Sequence, residues 1–303
     1  MWWRRLAPWA AVAALAALAL AGLRSGGTSA VVTWYLLQLA LPLCGLMIVL
    51  AVAAYAWRRR RWRSNWVRAA LVPGAALTAT LAWTAGLVPL RYPASLEDTT
   101  PALTVRLPSD HTIKVGWGGD SIKHNYHVTE PDQRWAYDLV VPPAFHQKPD
   151  LASYGCWGTA VLAPTNATVV AIHDGEPDIL PGREMAEESP AGGNAVALRV
   201  PSTGTYLYIA HLQRASIVVE AGQEVAEGQL LGRCGNSGNT SEPHIHIHHQ
   251  RNQPLLDQDD IGEGLPLYFR DHGGRPMPLG GVRVEGDETE WTGDVIRHQP
   301  VGQ

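Results

Sequence analysis

"GNTSEPHIHIHHQ", residues 238–250, sets four histidines in six positions behind a run of turn-forming residues. Side chains two apart on a strand share a face. His244 and His246 therefore project together, with His248 following them, while Ile245 and Ile247 project to the opposite side. The alternation predicts a strand anchored in a core by its isoleucines and aiming His244 and His246 into a cleft.

The same period runs outward from this stretch. "RWAYDLVV" (134–141), "GTAVLAP" (158–164), "ATVVAIH" (167–173), "NAVALRV" (194–200) and "TYLYIAHL" (205–212) are short β-like runs divided by Gly, Pro, Asn and Asp. Regular short runs with turn signals between them predict an all-β sandwich or barrel rather than βαβ units. No amphipathic helix of ten or more residues stands out here. Residues 174–194 are too polar and too broken by Pro and Gly for a strand, and read as a long surface loop. It is either one wall of a substrate groove or a solvated insertion. The expected layout is a connector at 91–120, a β domain at 121–255 and a C-terminal extension at 256–303 packed on it, with strand-like "LPLYF" and "GVRVEG".

Residues 1–90 have a different composition. They hold nine Arg and no Asp, Glu or Lys, whereas the remainder carries 15 Lys+Arg against 28 Asp+Glu, a formal −13. Three apolar runs, about 6–23, 31–57 and 67–90, approach the roughly 20 residues that cross a bilayer, and three transmembrane helices are expected. The basic "MWWRR" and "RRRRWRS" place the N-terminus and the second loop on the cytoplasmic side. Everything from about Arg91 onward then lies outside. The first run also fits a secretory signal peptide. An acidic outer domain argues against nucleic acid as a partner.

The histidines suggest metal chemistry. A catalytic zinc site takes three ligands from His, Asp, Glu and Cys and keeps one position open. One strand rarely supplies all three. Further candidates stand in "HNYHVTEPDQRWAYDLV" (124–140), with His124, His127 and Asp138, and in "YLYIAHL", with His211. Asp138 is the lone carboxylate on an otherwise apolar strand, and a metal would relieve the cost of burying it. The residues alone leave both His124 and His127 open as the partner of Asp138. His111, His146, His173, His272 and His298 read as surface or loop residues. Cys44 reads as small apolar filler; Cys156 and Cys234 are either a disulfide or two buried thiols.

Residues 206–249, "YLYIAHLQRASIVVEAGQEVAEGQLLGRCGNSGNTSEPHIHIHH", resemble the core of the lysostaphin-like (LytM-type) zinc metallopeptidases, which cut peptide cross-links of bacterial cell walls. The family pattern Y-x-H-L, V-x-x-G-x-x-V-x-x-G-x-x-(I/L)-G, G-x-S/T-G and P-H-L-H is met by Tyr208 to Leu212, Val219 to Gly232, Gly235 to Gly238 and Pro243 to His246. The resemblance implies an antiparallel LytM-type β domain and a bound Zn2+. It makes His127, Asp138 and His246 the ligands, with His211 and His244 catalytic. It also implies peptidoglycan peptides as substrate and a place at the cytoplasmic (inner) membrane of a bacterium, the three spans being the tie to the lipid bilayer. The commonest family spacing puts the first two ligands four residues apart; eleven separate His127 and Asp138, which implies an enlarged loop. Relatives often carry Glu where His248 stands, so His248 and His249 receive no role.

Other readings fit less of the sequence. A cupin needs a Glu three or four residues after the histidine pair, where Gln250 and Arg251 stand. A lipoyl or biotinyl carrier needs a hairpin Lys, and no Lys follows Lys148. A catalytically silent LytM-type scaffold or regulatory binding module remains the alternative; such relatives usually lack a ligand, and this chain retains all five positions.

Overall fold

The computed structural model describes residues 3–146, 148–183, 189–257, 261–285 and 288–299. It divides into two compact units, Met1–Pro93 and Ala94–Gln303.

The first unit is helical: α1 (Trp3–Arg24), α2 (Gly27–Arg59), α3 (Asn65–Thr78) and α4 (Leu81–Thr84). Among the described residues, α2 alone is long and apolar enough to cross a membrane. Its 33 residues reach about 50 Å at 1.5 Å per residue. It leaves Leu36, Leu39, Leu43, Met47 and Leu50 exposed, an apolar face too large for a water-facing helix. Cys44 is a free cysteine exposed on the same apolar helix.

Three spanning helices are therefore not what the structure presents. The first run does form α1, but eight of its 18 side chains lie outside the described residues. The third, 67–90, is not one helix, because α3 stops at Thr78 after 14 residues. The cause is local. The Thr78 hydroxyl donates to the Gly74 carbonyl and the Thr80 hydroxyl to that of Leu77, and such back-bonding bends a helix. Backbone bonds nevertheless bridge the break, from Ala79 to Ala75, Thr80 to Leu77 and Ala82 to Ala79.

The second unit is mostly β. Its strands are β1 (Leu103–Val105), β2 (Ile113–Trp117), β3 (Tyr137–Val140), β4 (Ala160–Leu162) and β5 (Ala167–His173). Then come β6 (Asn194–Val200), β7 (Thr205–Leu212), β8 (Glu224–Val225), β9 (Leu230–Arg233) and β10 (Ile245–Gln250). Short strands close the chain: β11 (Gly264–Leu265), β12 (Leu267–Phe269), β13 (Val282–Glu285), β14 (Glu288–Trp291) and β15 (Val295–Ile296).

The main sheet runs β15-β2-β3-β10-β7-β6-β5-β8, with β11 also on β10, and every pairing is antiparallel. The predicted histidine strand is thus central. Its isoleucines, Ile245 and Ile247, are fully buried with Leu139, Tyr137, Ile209 and Leu207, each contributing about 1.5–3 kcal/mol. Because the register pairs His246 with Asp138 on β3 and with Ala210 on β7, the same alternation that buries the isoleucines brings His246 beside the carboxylate.

Residues beyond 260 extend this unit rather than hang from it. β11 pairs with β10, β12 lies parallel to β1, and β15 adds an edge beside β2. Cys156 and Cys234, both buried, form a disulfide across 78 residues of chain. The stretch from 174 to 193 has no strand among its described residues and is tied down by a bridge between Asp178 and Ser237.

Candidate active site

Asp138 sits on β3 with three imidazoles around one carboxylate oxygen. Its Oδ1 lies 2.9 Å from His246 Nδ1, 3.5 Å from His127 Nε2 and 3.5 Å from His244 Nε2. His127, Asp138 and His246 each offer one ligand atom, all within 4.8 Å of one another, and all three residues are buried.

His127 reaches this place through a short 3-10 turn, Tyr126–Thr129. Asn125 caps that turn and fixes the ring as well. Its Oδ1 accepts from the His127 backbone N–H at 3.2 Å and lies 2.9 Å from His127 Nδ1. A proton on Nδ1 donated to Asn125 leaves Nε2 facing the carboxylate. The Asn125 amide nitrogen in turn donates to the carbonyls of Gly119 and Ala136. Residues 128–137, the enlarged loop, are closed on Asp120, which accepts from Arg134 at 2.7 Å and from the Trp135 indole at 2.8 Å. The eleven-residue spacing is therefore folded back so that His127 and Asp138 meet. His124 points elsewhere: its Nδ1 is 2.9 Å from the carbonyl of Gly280, just before β13.

His211 and His244 stand on the other side of the groove, ring centroids 4.7 Å apart. His211, next to last in β7, has φ +60°, a left-handed conformation uncommon for a residue with a Cβ. Backbone bonds hold it there: its N–H donates to Gly192 and its carbonyl accepts from Gly235. Its Nδ1 lies 2.8 Å from the Ser237 carbonyl, and His244 Nδ1 lies 2.8 Å from that of Glu242. Carbonyls only accept, so each ring donates from Nδ1 and keeps Nε2 for the groove. Gly238 is required in the turn that supplies Ser237. Its φ is +79°, and a Cβ would come within 2.4 Å of the Gly193 nitrogen.

Burial and charge separate these groups. Burial pushes His127 down to about 3, against the pull of Asp138. His211 falls well below the ordinary histidine value through burial and the neighbouring His244 and His246. His244 is raised: burial alone would lower it, but Asp138 facing its Nε2 more than offsets that. Burial would raise Asp138, yet the imidazoles around it hold the carboxyl well below the usual carboxylate range.

All five residues singled out from sequence, His127, Asp138, His211, His244 and His246, converge on one groove. The cavity there measures about 260 Å³ and is lined by His127, His211 and His246, with Gly192 of the long loop and Leu255 and Leu256. Sequence reasoning missed Asn125, Ser237 and His248. Asn125 and Ser237 are polar residues in turns, with only their closeness to His127 and Gly238 as a signal. His248, set aside on sequence, lies 2.9 Å from His246. His249 faces away, its Nε2 2.6 Å from the Thr205 hydroxyl.

Comparison with known proteins agrees on the domain. Residues 154–258 match the family model described as Peptidase family M23. His211, His244 and His246 fall inside that span; His127 and Asp138 precede it. A stretch of 132 residues is 35% identical to the peptidoglycan DD-endopeptidase ShyA of Vibrio cholerae serotype O1, covering 42% of this chain and 28% of that protein. The chain thus spans little more than a quarter of that relative's length. Among solved structures, the catalytic domain of lysostaphin from Staphylococcus simulans is similar at 16% identity, covering 51% of this chain and 88% of that one, with a TM-score of 0.30. A zinc-containing peptidase from Vibrio cholerae is similar at 21% identity, over 52% and 41% of the two chains, with a TM-score of 0.33.

Proposed function

We propose, from a chain that carries a domain of peptidase family M23 over residues 154–258, that it is a membrane-anchored zinc metallo-endopeptidase hydrolysing peptide bonds in peptidoglycan. The observation that carries this reading is the convergence of His127, Asp138 and His246 around one buried point, with His244 Nε2 on the same oxygen. Two imidazole nitrogens and one carboxylate oxygen suit zinc, and a three-residue set keeps a position open. The name of the similar Vibrio endopeptidase supports the substrate class.

When bound there, zinc would supply Lewis acidity, polarising a scissile carbonyl and acidifying water. His127, Asp138 and His246 hold it. His211 and His244 present Nε2 to the groove, and their shifts run in opposite directions. Titratable groups pushed apart in this way take complementary roles. His211, kept neutral near pH 7, accepts the proton of the attacking water. His244, whose Nε2 is on the Asp138 side of the groove, donates to the oxyanion that develops on the carbonyl.

The helical unit ties this chemistry to a membrane. α2 crosses the bilayer with its exposed leucines in lipid. Its C-terminal end carries the cationic run Arg58–Arg63, which favours the cytoplasmic side. A domain acting on the wall requires the chain to return across the bilayer. The segment from Asn65 to Val88, whose break is bridged by backbone bonds, makes that crossing, since lipid demands internal satisfaction of the backbone and not an unbroken helix.

The test uses the full-length chain in detergent micelles, assayed for zinc and for peptides released from purified peptidoglycan. His246→Ala loses both zinc and hydrolysis, whereas His244→Ala keeps zinc and loses hydrolysis. Stoichiometric zinc in His246→Ala would overturn the ligand set. A zinc-loaded wild type that releases nothing from any wall type would favour a silent binding module.

A further inference from the structure

The face of β10 that carries His246 continues past it in an unbroken polar run. His246 Nε2 lies 2.9 Å from His248 Nδ1, and His248 Nε2 lies 2.8 Å from Gln250 Oε1. Gln250 Nε2 donates to the Asn252 carbonyl at 2.8 Å. His246, His248 and Gln250 are all buried. Tyr208 stacks on the His248 ring at 4.9 Å between centroids and sets its plane.

From its far end the run has one polarity. A backbone carbonyl only accepts, so the Gln250 amide turns its nitrogen to Asn252 and its oxygen to His248. That oxygen also only accepts, so the proton of a neutral His248 is on Nε2 and its Nδ1 is an acceptor. His246 must then carry its proton on Nε2 and donate it to His248. Its Nδ1 is left bare, and that is the nitrogen 2.9 Å from Asp138 Oδ1. Two lone pairs held that close, in a buried place, repel unless a proton or a metal cation lies between them.

We propose that His248 and Gln250 are positioning residues that hold His246 in the tautomer offering Nδ1 to the metal. The inference rests on the zinc-peptidase reading and deepens it, since it assigns work to a histidine where the relatives often have Glu. It also explains why the run ends on backbone: Asn252 contributes a carbonyl, whose polarity no side-chain flip or proton shift can reverse.

Zinc affinity of the full-length chain in detergent, measured by competition with a chromogenic chelator, tests it. Loss of an outer partner to a metal-bound histidine typically costs about 10–100-fold in affinity, and His248→Leu is expected in that range. His248→Gln restores most of it, because its oxygen accepts from His246 while its nitrogen donates to Gln250. The nitrogen-15 spectrum of metal-free, histidine-labelled chain gives a second readout: His246 Nε2 keeps its proton in the wild type and in His248→Gln, whatever the state of Nδ1, and loses it in favour of Nδ1 in His248→Leu. A comparison of Leu with Gln at one position separates positioning from folding. Equal affinity in His248→Leu and wild type, or equal loss in the Leu and Gln variants, overturns the proposal. A wild type that binds no zinc removes the zinc reading and this inference together, whereas zinc binding indifferent to His248 removes only the inference.

Discussion

On one face of β10, beside the groove, His246 has a ring nitrogen toward the Asp138 carboxylate and His248 one toward the Gln250 amide. On the other face, one residue away, His249 is just as buried but spans a threonine hydroxyl and the Pro266 carbonyl inside the fold. Residue type and burial are the same on both faces; the partners differ. His127, His211, His244 and His246 each have one nitrogen tied to an orienting partner and the other left for the groove. His249, in contrast, has both nitrogens engaged in structural bonds, as does His248, which spans His246 and Gln250. What marks a working histidine in this domain is thus the nitrogen left over after its hydrogen bonds are counted.

The largest effect on hydrolysis expected from this contrast, short of removing a metal ligand, is at His211. It shares the groove with His244 and keeps Nε2 uncommitted, and general acid–base groups contribute about 10²–10⁴-fold to rate. His211→Ala should lower kcat by that range while zinc content stays at wild-type level, measured together on the same preparation. A variant that loses zinc in step with activity would move His211 from the proton-handling side to the ligand side.

Asn125 sharpens the contrast at the next level. His127 is oriented by a side chain, Asn125, whereas His211 and His244 are oriented by backbone carbonyls. Only the first can be deleted by mutation. Asn125→Ala should weaken zinc binding about 10–100-fold, and Asn125→Asp, which keeps the acceptor at Oδ1, should lose less. The same chelator competition reads both. Equal affinity in Asn125→Ala and wild type would mean that the turn, not the cap, places the ring.

How much of this could be read from sequence follows the range of each cause. The strand, its buried isoleucines and the HxH pair were legible because a period of two is written in neighbouring residues. Asp138 was legible as one carboxylate in an apolar run. The choice between His124 and His127 was not open to a reading of the residues, since it depends on Gly280 claiming His124 from 156 positions away. Nor was the disulfide, which closes across 78 residues. The third apolar run misled for another reason. Its composition suits a membrane helix, but α3 ends at Thr78, where Thr78 and Thr80 donate to backbone carbonyls of the last turn. His248 was hidden by analogy: the face assignment placed it beside His246, and the expectation of Glu there turned attention away.

The smallest effect on hydrolysis belongs to His249, and it tests the other face directly. Burial lowers this histidine to about 4, so the folded chain keeps it neutral where an unfolded chain, with an ordinary value near 6.5, binds a proton. Between those values the unfolded state holds more protons, and stability rises with pH. The contribution is fully present above about 6.5 and is lost as pH falls toward about 4. A difference of 2.5 pH units corresponds to roughly 3 kcal/mol. His249→Gln removes the titration and leaves any packing defect the same at every pH. Thermal unfolding of both chains in detergent with chelator present, at pH 7.5 and pH 4.5, should show the wild type losing more stability on acidification than the variant. His127 and the other groove histidines titrate in both chains and cancel in that difference. Activity at pH 7.5 should be unchanged, because neither ring nitrogen of His249 reaches the groove. If the two chains lose the same stability in acid while His249→Gln loses hydrolysis, the division of β10 into a working face and a structural face fails.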